Sequence, residues 1–419
     1  MQGRAGEGAG TIAIIGTLNN YAGEIRRLKE SIEEKGFRPL LIDISMGGKP
    51  SFPGDIPCDQ IAQYGGSDID HVRASTNRME ITRIMTEGLR KRVTELHESA
   101  EFDGIIVMGG ATTALIACRA MQALPFGLPK MIVSSAADYP IVRSQLFGNS
   151  DIMIMHTPVD AMGGNYFVIN LVERAAGAIC GMTSAYLAKK LEIDPAIISR
   201  TCVAMVTFGF SDGCANTLKG MLEKAGLEVI VFHAQGLGDS ALDTLIDQNV
   251  RFKAIVELTP AGLSEELFGG TRAAGKRRLE AACEKGIPQV CTPCGLNYIG
   301  VGPMNTMKKK YRRRNLKTID DRRTQAKMTV PELMIVAQTM ARKLSMGKGI
   351  IKIIFPLKGW SSLEKDGDPF YEPEKDRLFI NRLKKLTRRS ENVQIREIDA
   401  HIDDELTAKE IFDATMEVM

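Results

Sequence analysis

The chain has 419 residues, too many for one ordinary core, and its 44% hydrophobic and 25% charged residues sit at the globular average. That balance excludes wholesale disorder and a small disulfide scaffold. The net charge is only +3, which gives no domain-wide basic footprint for nucleic acid, and no span of about 20 uncharged apolar residues exists to cross a membrane.

The eight cysteines run from Cys58 to Cys294, several inside apolar stretches such as Ala117-Cys118 and Ile179-Cys180. They are expected to be reduced, core-filling thiols of a soluble cytoplasmic protein. Met1 to Gly10 is Gly-rich, lacks the apolar centre of a signal peptide, and is expected to be a frayed tail.

Alternating apolar runs and helical patterns point to βαβ units around parallel sheets. The first strand is Thr11 to Thr17; Ile25, Leu28 and Ile32 follow at helical spacing, Gly36 ends that helix, and Pro39 to Ile44 is the second strand. Gly47 to Gly66 then forms a long Pro- and Gly-rich connection of the length that suggests an exposed or functional loop. Ile81, Ile84, Met85, Leu89, Val93 and Leu96 mark a helix, Asp103 to Met108 a strand, and Gly109-Gly110 open another helix carrying Leu115, Cys118 and Met121. Pro129 to Ser134 and Asp151 to Met155 are strands, and a helical pattern from Asn165 to Leu191 closes this half.

Pro195 marks a hinge, after which strands are expected at Cys202 to Gly209, Leu227 to His233, Phe252 to Leu258, Gln289 to Thr292, Ile350 to Leu357 and Val393 to Asp399. The fold class is α/β, with two Rossmann-like, doubly wound domains of mainly parallel strands, 1–192 and 193–419.

In such sheets all carboxyl ends share one edge, so the residues just after strands are the place to look for chemistry. In the first domain they are Gly16-Thr17-Leu18-Asn19, Asp43, Gly109 to Thr113, Ser134-Ser135 and Gly148 to Asp151. Gly109 to Thr113 reads as a phosphate seat at a helix N-terminus, or as a plain tight turn; no P-loop or G-x-G-x-x-G is present. Asp43 reads either as a ribose ligand or as a surface carboxylate. In the second domain His233, Glu257 and His401 stand near strand ends, where an imidazole and a carboxylate could do acid/base work if they converged. Cys291 and Cys294 could pair or bind metal, but no second Cys pair stands at finger spacing, so ordinary thiols are expected and no metal site is assigned. Trp360, the single tryptophan, is expected to be packed.

Between Lys308 and Lys327 ten Lys/Arg meet only Asp320 and Asp321, a local +8 that leaves the rest of the chain at −5. With Tyr311 inside it, this run could serve RNA or a protein, or be a solvated loop.

Taken in order, these segments resemble an uncharacterised two-domain protein family, that of the tomato mosaic virus resistance protein, known for an ATP-binding member in plants that inhibits tobamovirus replication. Ile15-Gly16-Thr17-Leu18, Ala123 to Lys130, Gly148 to Ile152, Ala175 to Met182, Val231 to Ala234, Gly286 to Val290, Pro356 to Gly359, Pro369 to Tyr371 and Asp399 to Ile402 carry the likeness over nearly the whole chain. The resemblance implies a Rossmann-like first domain that binds ATP, a second α/β domain and a homodimer or higher homo-oligomer. Asn19-Asn20-Tyr21 stands where the family commonly has Asp-Thr-Lys, Ala111-Thr112-Thr113 replaces a more Gly-rich turn, and Arg314-Asn315 lies where a His-Asn pair is common.

The leading expectation is therefore a cytoplasmic nucleotide-binding protein that takes ATP, with or without Mg. Gly16, Gly109, Gly110 and Thr112 would meet phosphates through the backbone, Thr17, Thr113, Ser134 and Ser135 through hydroxyls, and Asn165 would position the ligand. One rival is an enzyme for a small oxygenated or phosphorylated carbon substrate, using His233, Glu257 and His401. Another is an RNA- or protein-binding module using residues 308–327.

Overall fold

The computed structural model describes residues 10–139, 146, 148–160, 162–189 and 195–419. The expected N-terminal tail before Gly10 and the expected domain boundary at 192/193 lie outside these. The chain divides into two compact units, Met1–Ile193 and Asp194–Met419.

In the first unit β1 (Thr11–Gly16), β2 (Arg38–Asp43), β3 (Gly104–Met108), β4 (Lys130–Ser134) and β5 (Met153–His156) form one sheet in the order β2-β1-β3-β4-β5. Every pairing in it is parallel. All six residues of β1 are buried, because helices cover both faces. Ile12 and Ile14 pack with Ile25 and Leu28 of α1 (Ala22–Glu34) and with Val172 and Ile179 of the helix Tyr166–Lys189. Ala13 and Ile15 belong to the opposite core, with α2 (Cys58–Tyr64), α3 (Ile69–Ala74), α4 (Arg78–Glu98) and α5 (Ala111–Gln122). The period of two along a strand sends neighbours to opposite layers, which is why the run reads as continuously apolar. The Gly47 to Gly66 connection is not all loop: it contains α2 and a parallel bridge between Ile42 and Ile56.

In the second unit β6 (Cys202–Thr207), β7 (Glu228–His233), β8 (Ala254–Glu257), β9 (Gln289–Cys291), β13 (Ile351–Pro356) and β14 (Val393–Ile398) make a six-stranded sheet in the order β14-β13-β9-β8-β6-β7. It too is parallel throughout. Val203 and Met205 pack with Leu218 and Leu222 of the helix Asp212–Lys224 and with Ile411 and Ala414 of Glu405–Val418. Ile351, Ile353 and Phe355 pack instead with the helices Val330–Ser345 and Pro373–Thr387.

A second sheet interrupts this pattern: β10 (Tyr298–Gly302), β11 (Leu316–Thr318) and β12 (Thr324–Lys327) pair antiparallel in the order β10-β12-β11. No apolar run announces β12, whose four residues Thr324 to Lys327 are nevertheless all buried. Arg272 donates to Gln325 Oε1 at 2.9 Å and Lys327 pairs with Glu364, so this polar strand is held by side-chain partners rather than by a hydrophobic face.

Candidate functional site

In each sheet the first strand feeds a neighbour on one side, and the next strand joins on the other, so a crevice is expected where the order reverses. In the first unit this is between β1 and β3. A cavity of about 870 Å³ lies there, lined by Thr17, Asn19, Asn20, Gly47, Gly48, Lys49, Arg78, Thr112 and Thr113 among others.

The amides around it fall into two sets. Those of the β1–α1 turn are taken: Leu18 N donates to Asp43 Oδ1 at 3.2 Å and Asn19 N to Ser45 Oγ at 3.3 Å. Gly109 N donates to Val133 O at 3.2 Å. By contrast α5 has Gly110 as its N-cap with no side-chain capping bond, and the amides of Ala111, Thr112 and Thr113 have no acceptor among the described residues. Such amides, at the positive end of the helix dipole, favour an anion.

The expected contact residues divide accordingly. Thr17, Thr112 and Thr113 line the cavity, and Thr17 Oγ1 is enclosed without a partner among the described residues. Gly16 and Gly109 serve close packing: an added Cβ would lie 2.6 Å from Ile25 Cδ1 in the first case and 2.8 Å from Thr113 Cβ in the second. At Gly110 it would approach only Tyr21 Oη, at 3.4 Å. That hydroxyl donates to Asp160 Oδ1 at 3.1 Å, and burial together with Asp160 pushes its pKa up to about 12. Ser134 is wholly buried, its Oγ accepting from Ala136 N at 3.2 Å; Ser135 beside it is half-buried. Asn165 is exposed and caps the helix Tyr166–Lys189 by accepting from Phe167 N and Val168 N at 3.0 and 3.1 Å. Asp43 is not a surface group: it is 1% exposed, and its Oδ1 ties the β1–α1 turn to Ser45.

At the carboxyl edge of the second unit, no hydrogen bond joins any two of His233, Glu257 and His401. Glu257 is buried and takes both terminal nitrogens of Arg278, Nη1 at 2.8 Å. Arg278 Nε also lies 3.4 Å from Asp239 Oδ2. Nearby Asp243 is pushed up to about 7 by burial, with Arg278 opposing the rise and Glu257 and Asp239 adding to it. His401 Nδ1 accepts from Asp403 N at 3.2 Å, so the proton is on Nε2, which donates to Ser361 O at 3.0 Å. His233 is exposed, its ring edge-on to Phe208 at 5.5 Å.

All eight cysteines are free and buried, and burial pushes Cys294 up to about 12. No group of His, Cys, Asp and Glu among the described residues could hold a metal ion. Trp360 is 1% exposed, packed on Phe355 and Phe379.

The family models for the N-terminal and C-terminal domains of the Uncharacterised protein family (UPF0261) match residues 10–188 and 200–419. The chain belongs to this family. It is 32% identical to a UPF0261 protein of Clostridium tetani, over 94% of this chain and 95% of that one. It is 25% identical to a UPF0261 protein of Brucella suis over 94% of this chain and 91% of that one. A ToMV resistance protein, Tm-1(GCR237), of Solanum lycopersicum is 27% identical over 80% of this chain, which spans 44% of the tomato protein. Among solved structures, UDP-N-acetylglucosamine 2-epimerase from Rickettsia bellii aligns with 68% of this chain and 79% of its own, at 10% identity and a TM-score of 0.24.

In this UPF0261 protein four of the ten cations of the basic segment are paired within the chain. Arg314 pairs with Glu332 at 2.7 Å, Lys317 with Asp368, Arg323 with Asp320 at 2.6 Å and Lys327 with Glu364. Tyr311 is 3% exposed and donates to Phe268 O at 3.1 Å, so its ring offers no platform for a base. Lys308, Lys309, Lys310, Arg312 and Arg313 are exposed. No helix of the described residues is long and apolar enough to cross a membrane.

Sequence reasoning passed over Lys49 and Arg78. Both are exposed at the cavity and neither has an ion-pair partner among the described residues. Lys49 had a signal, since it stands within the Gly47-Gly48 to Pro50 stretch just beyond the carboxyl end of β2; Arg78 begins α4 and had none.

Proposed function

We propose that the first unit binds a nucleotide, ATP, with its phosphates at the N-terminus of α5 between Lys49 and Arg78. The observation that carries this is the set of three unclaimed amides, Ala111 to Thr113, beside an 870 Å³ cavity that two unpaired cations also line. Each element favours negative charge for its own reason: aligned backbone dipoles at the helix end, and full positive charges on the side chains. The volume falls in the range of small-molecule sites.

Lys49 answers the departure at Asn19-Asn20-Tyr21, because the cation missing from the β1–α1 turn is supplied from beyond β2. The amides of that turn are occupied, so in this reading Thr17 contributes its hydroxyl and Gly16 and Gly109 shape the floor without touching phosphate. No Asp or Glu among the described residues lines the cavity, so in this reading Mg would enter on the phosphates rather than on a protein carboxylate. A cytoplasmic homo-oligomer remains the proposed setting, with reduced thiols in keeping with that compartment.

Titration of the purified protein with Mg-ATP by calorimetry tests the reading. Absence of heat together with no thermal shift at millimolar nucleotide removes it. Gly110→Asp, which has room for a side chain toward Tyr21, is expected to abolish binding by placing a carboxylate at the anion seat.

A further inference from the structure

A second cavity, of about 340 Å³, lies in the second unit beyond the carboxyl end of β13, bounded by Leu357, Trp360, Pro373, Glu374, Asp376 and Arg377. Asp376 is 6% exposed. Its Oδ1 accepts from Asn297 Nδ2 at 2.9 Å, and the same nitrogen donates to Glu364 Oε1 at 2.7 Å, so one amide bridges two carboxylates. Glu364 is completed by Lys327 and by Ser361 Oγ at 3.0 Å. Asp376 Oδ2 has no donor among the described residues and is not sealed from the cavity.

The surrounding charges leave that oxygen uncompensated. Lys327 is the buried cation here and faces both buried carboxylates. Glu372 is held by Lys375 at 2.7 Å and Asn315 at 3.2 Å, and Arg377 by Glu397. Glu374 at the rim adds a further negative charge. The helix Val330–Ser345, packed alongside, contributes apolar Leu333, Val336 and Met340 to the common core. A buried carboxylate short of a cation is costly, and a ligand cation supplies what the protein does not. Trp360, 1% exposed and lining the same cavity, has an indole N–H with no acceptor among the described residues. A donor cannot meet an ammonium group, so it calls for an oxygen on the ligand.

We propose that this cavity binds a small primary amine that also carries an oxygen acceptor, an amino alcohol or amino acid, with the ammonium on Asp376 and the oxygen on Trp360. The cavity's size, at the low end for ligand sites, suits such a molecule. Burial, with Glu364 beside it, raises Asp376 to about 7. An ammonium binds the ionised form, so affinity rises with pH, about tenfold from pH 6 to pH 8 as the competent fraction grows.

The test is ligand-observed NMR on the full chain with ethanolamine and glycine as probes, against ethylene glycol and acetate. Support is binding of the amines over their nitrogen-free counterparts, strengthening from pH 6 to pH 8, and at least tenfold weaker in Asp376→Asn. Equal binding of ethylene glycol, affinity that falls with rising pH, or an unchanged dissociation constant in Asp376→Asn overturns it. Should that variant fail to fold, as its Trp360 fluorescence would report, the pH series on the unaltered chain decides. ATP titration of the same variant reads the first unit separately, so failure here leaves the nucleotide reading standing.

Discussion

Asp243→Asn should make the second unit more stable above neutral pH. Arg278 is fully enclosed and serves Glu257, Asp239 and Asp243 together, one positive charge against three acids. Unfolded, Asp243 releases its proton near 3.8; folded, burial holds it to about 7. Between these values the folded chain binds a proton that the unfolded chain does not, so stability is full below about pH 4 and is lost as pH rises toward 7. At about 1.4 kcal/mol per pH unit the displacement sets a ceiling of about 4 kcal/mol, and relaxation of the shared cluster brings the expected figure to about 2 kcal/mol. The neutral amide removes the loss: Asp243→Asn should match the unaltered chain below about pH 4 and exceed it by about 2 kcal/mol at pH 8. Urea unfolding followed by fluorescence reads this unit alone, because Trp360 is the only tryptophan and is buried there. A variant less stable at pH 8, or one with the same pH slope as the parent, refutes the reasoning.

Arg278→Met should act in the opposite sense, stranding buried Glu257 and Asp239 with Asp243 beside them at a cost of about 3–5 kcal/mol in the same unfolding assay, with the deficit larger at pH 8 than at pH 5. At the nucleotide cavity Lys49→Ala and Arg78→Ala are each expected to weaken ATP roughly tenfold, as the loss of one charge contact to phosphate does, and to flatten the salt dependence measured by calorimetry. His401→Ala should cost about 2 kcal/mol through its two lost hydrogen bonds, whereas exposed His233→Ala should leave urea stability unchanged. The eight thiols should resist a disulfide reagent at pH 8 in the folded protein and react fully in urea, since burial both hides them and disfavours the thiolate.

The parallel sheets and the site's neighbourhood were legible because their signals are local. A strand buried on both faces must be apolar throughout, and Thr11 to Gly16 and Ile351 to Pro356 are. Gly109-Gly110 before a helical pattern marked the start of α5, which has Gly110 as its N-cap, without any knowledge of tertiary contacts. Polar groups were where such reading stopped. β12 looks like surface, yet is buried because Arg272 and Glu364 reach it from 53 and 37 residues away. Glu257 looks like a strand-end catalyst, yet Arg278, 21 residues on, claims both of its oxygens.

The division has a physical cause. Hydrophobic periodicity and turn chemistry act between neighbours in the chain, so the amino-acid order alone determined two doubly wound α/β units, their parallel strands and the edge those strands share. Whether a given amide, hydroxyl or carboxylate is free depends on which distant group comes to meet it. Only folding decided that the amides of Leu18 and Asn19 are spent while those of Ala111 to Thr113 are open, and only folding brought Lys49 and Arg78 to the same cavity.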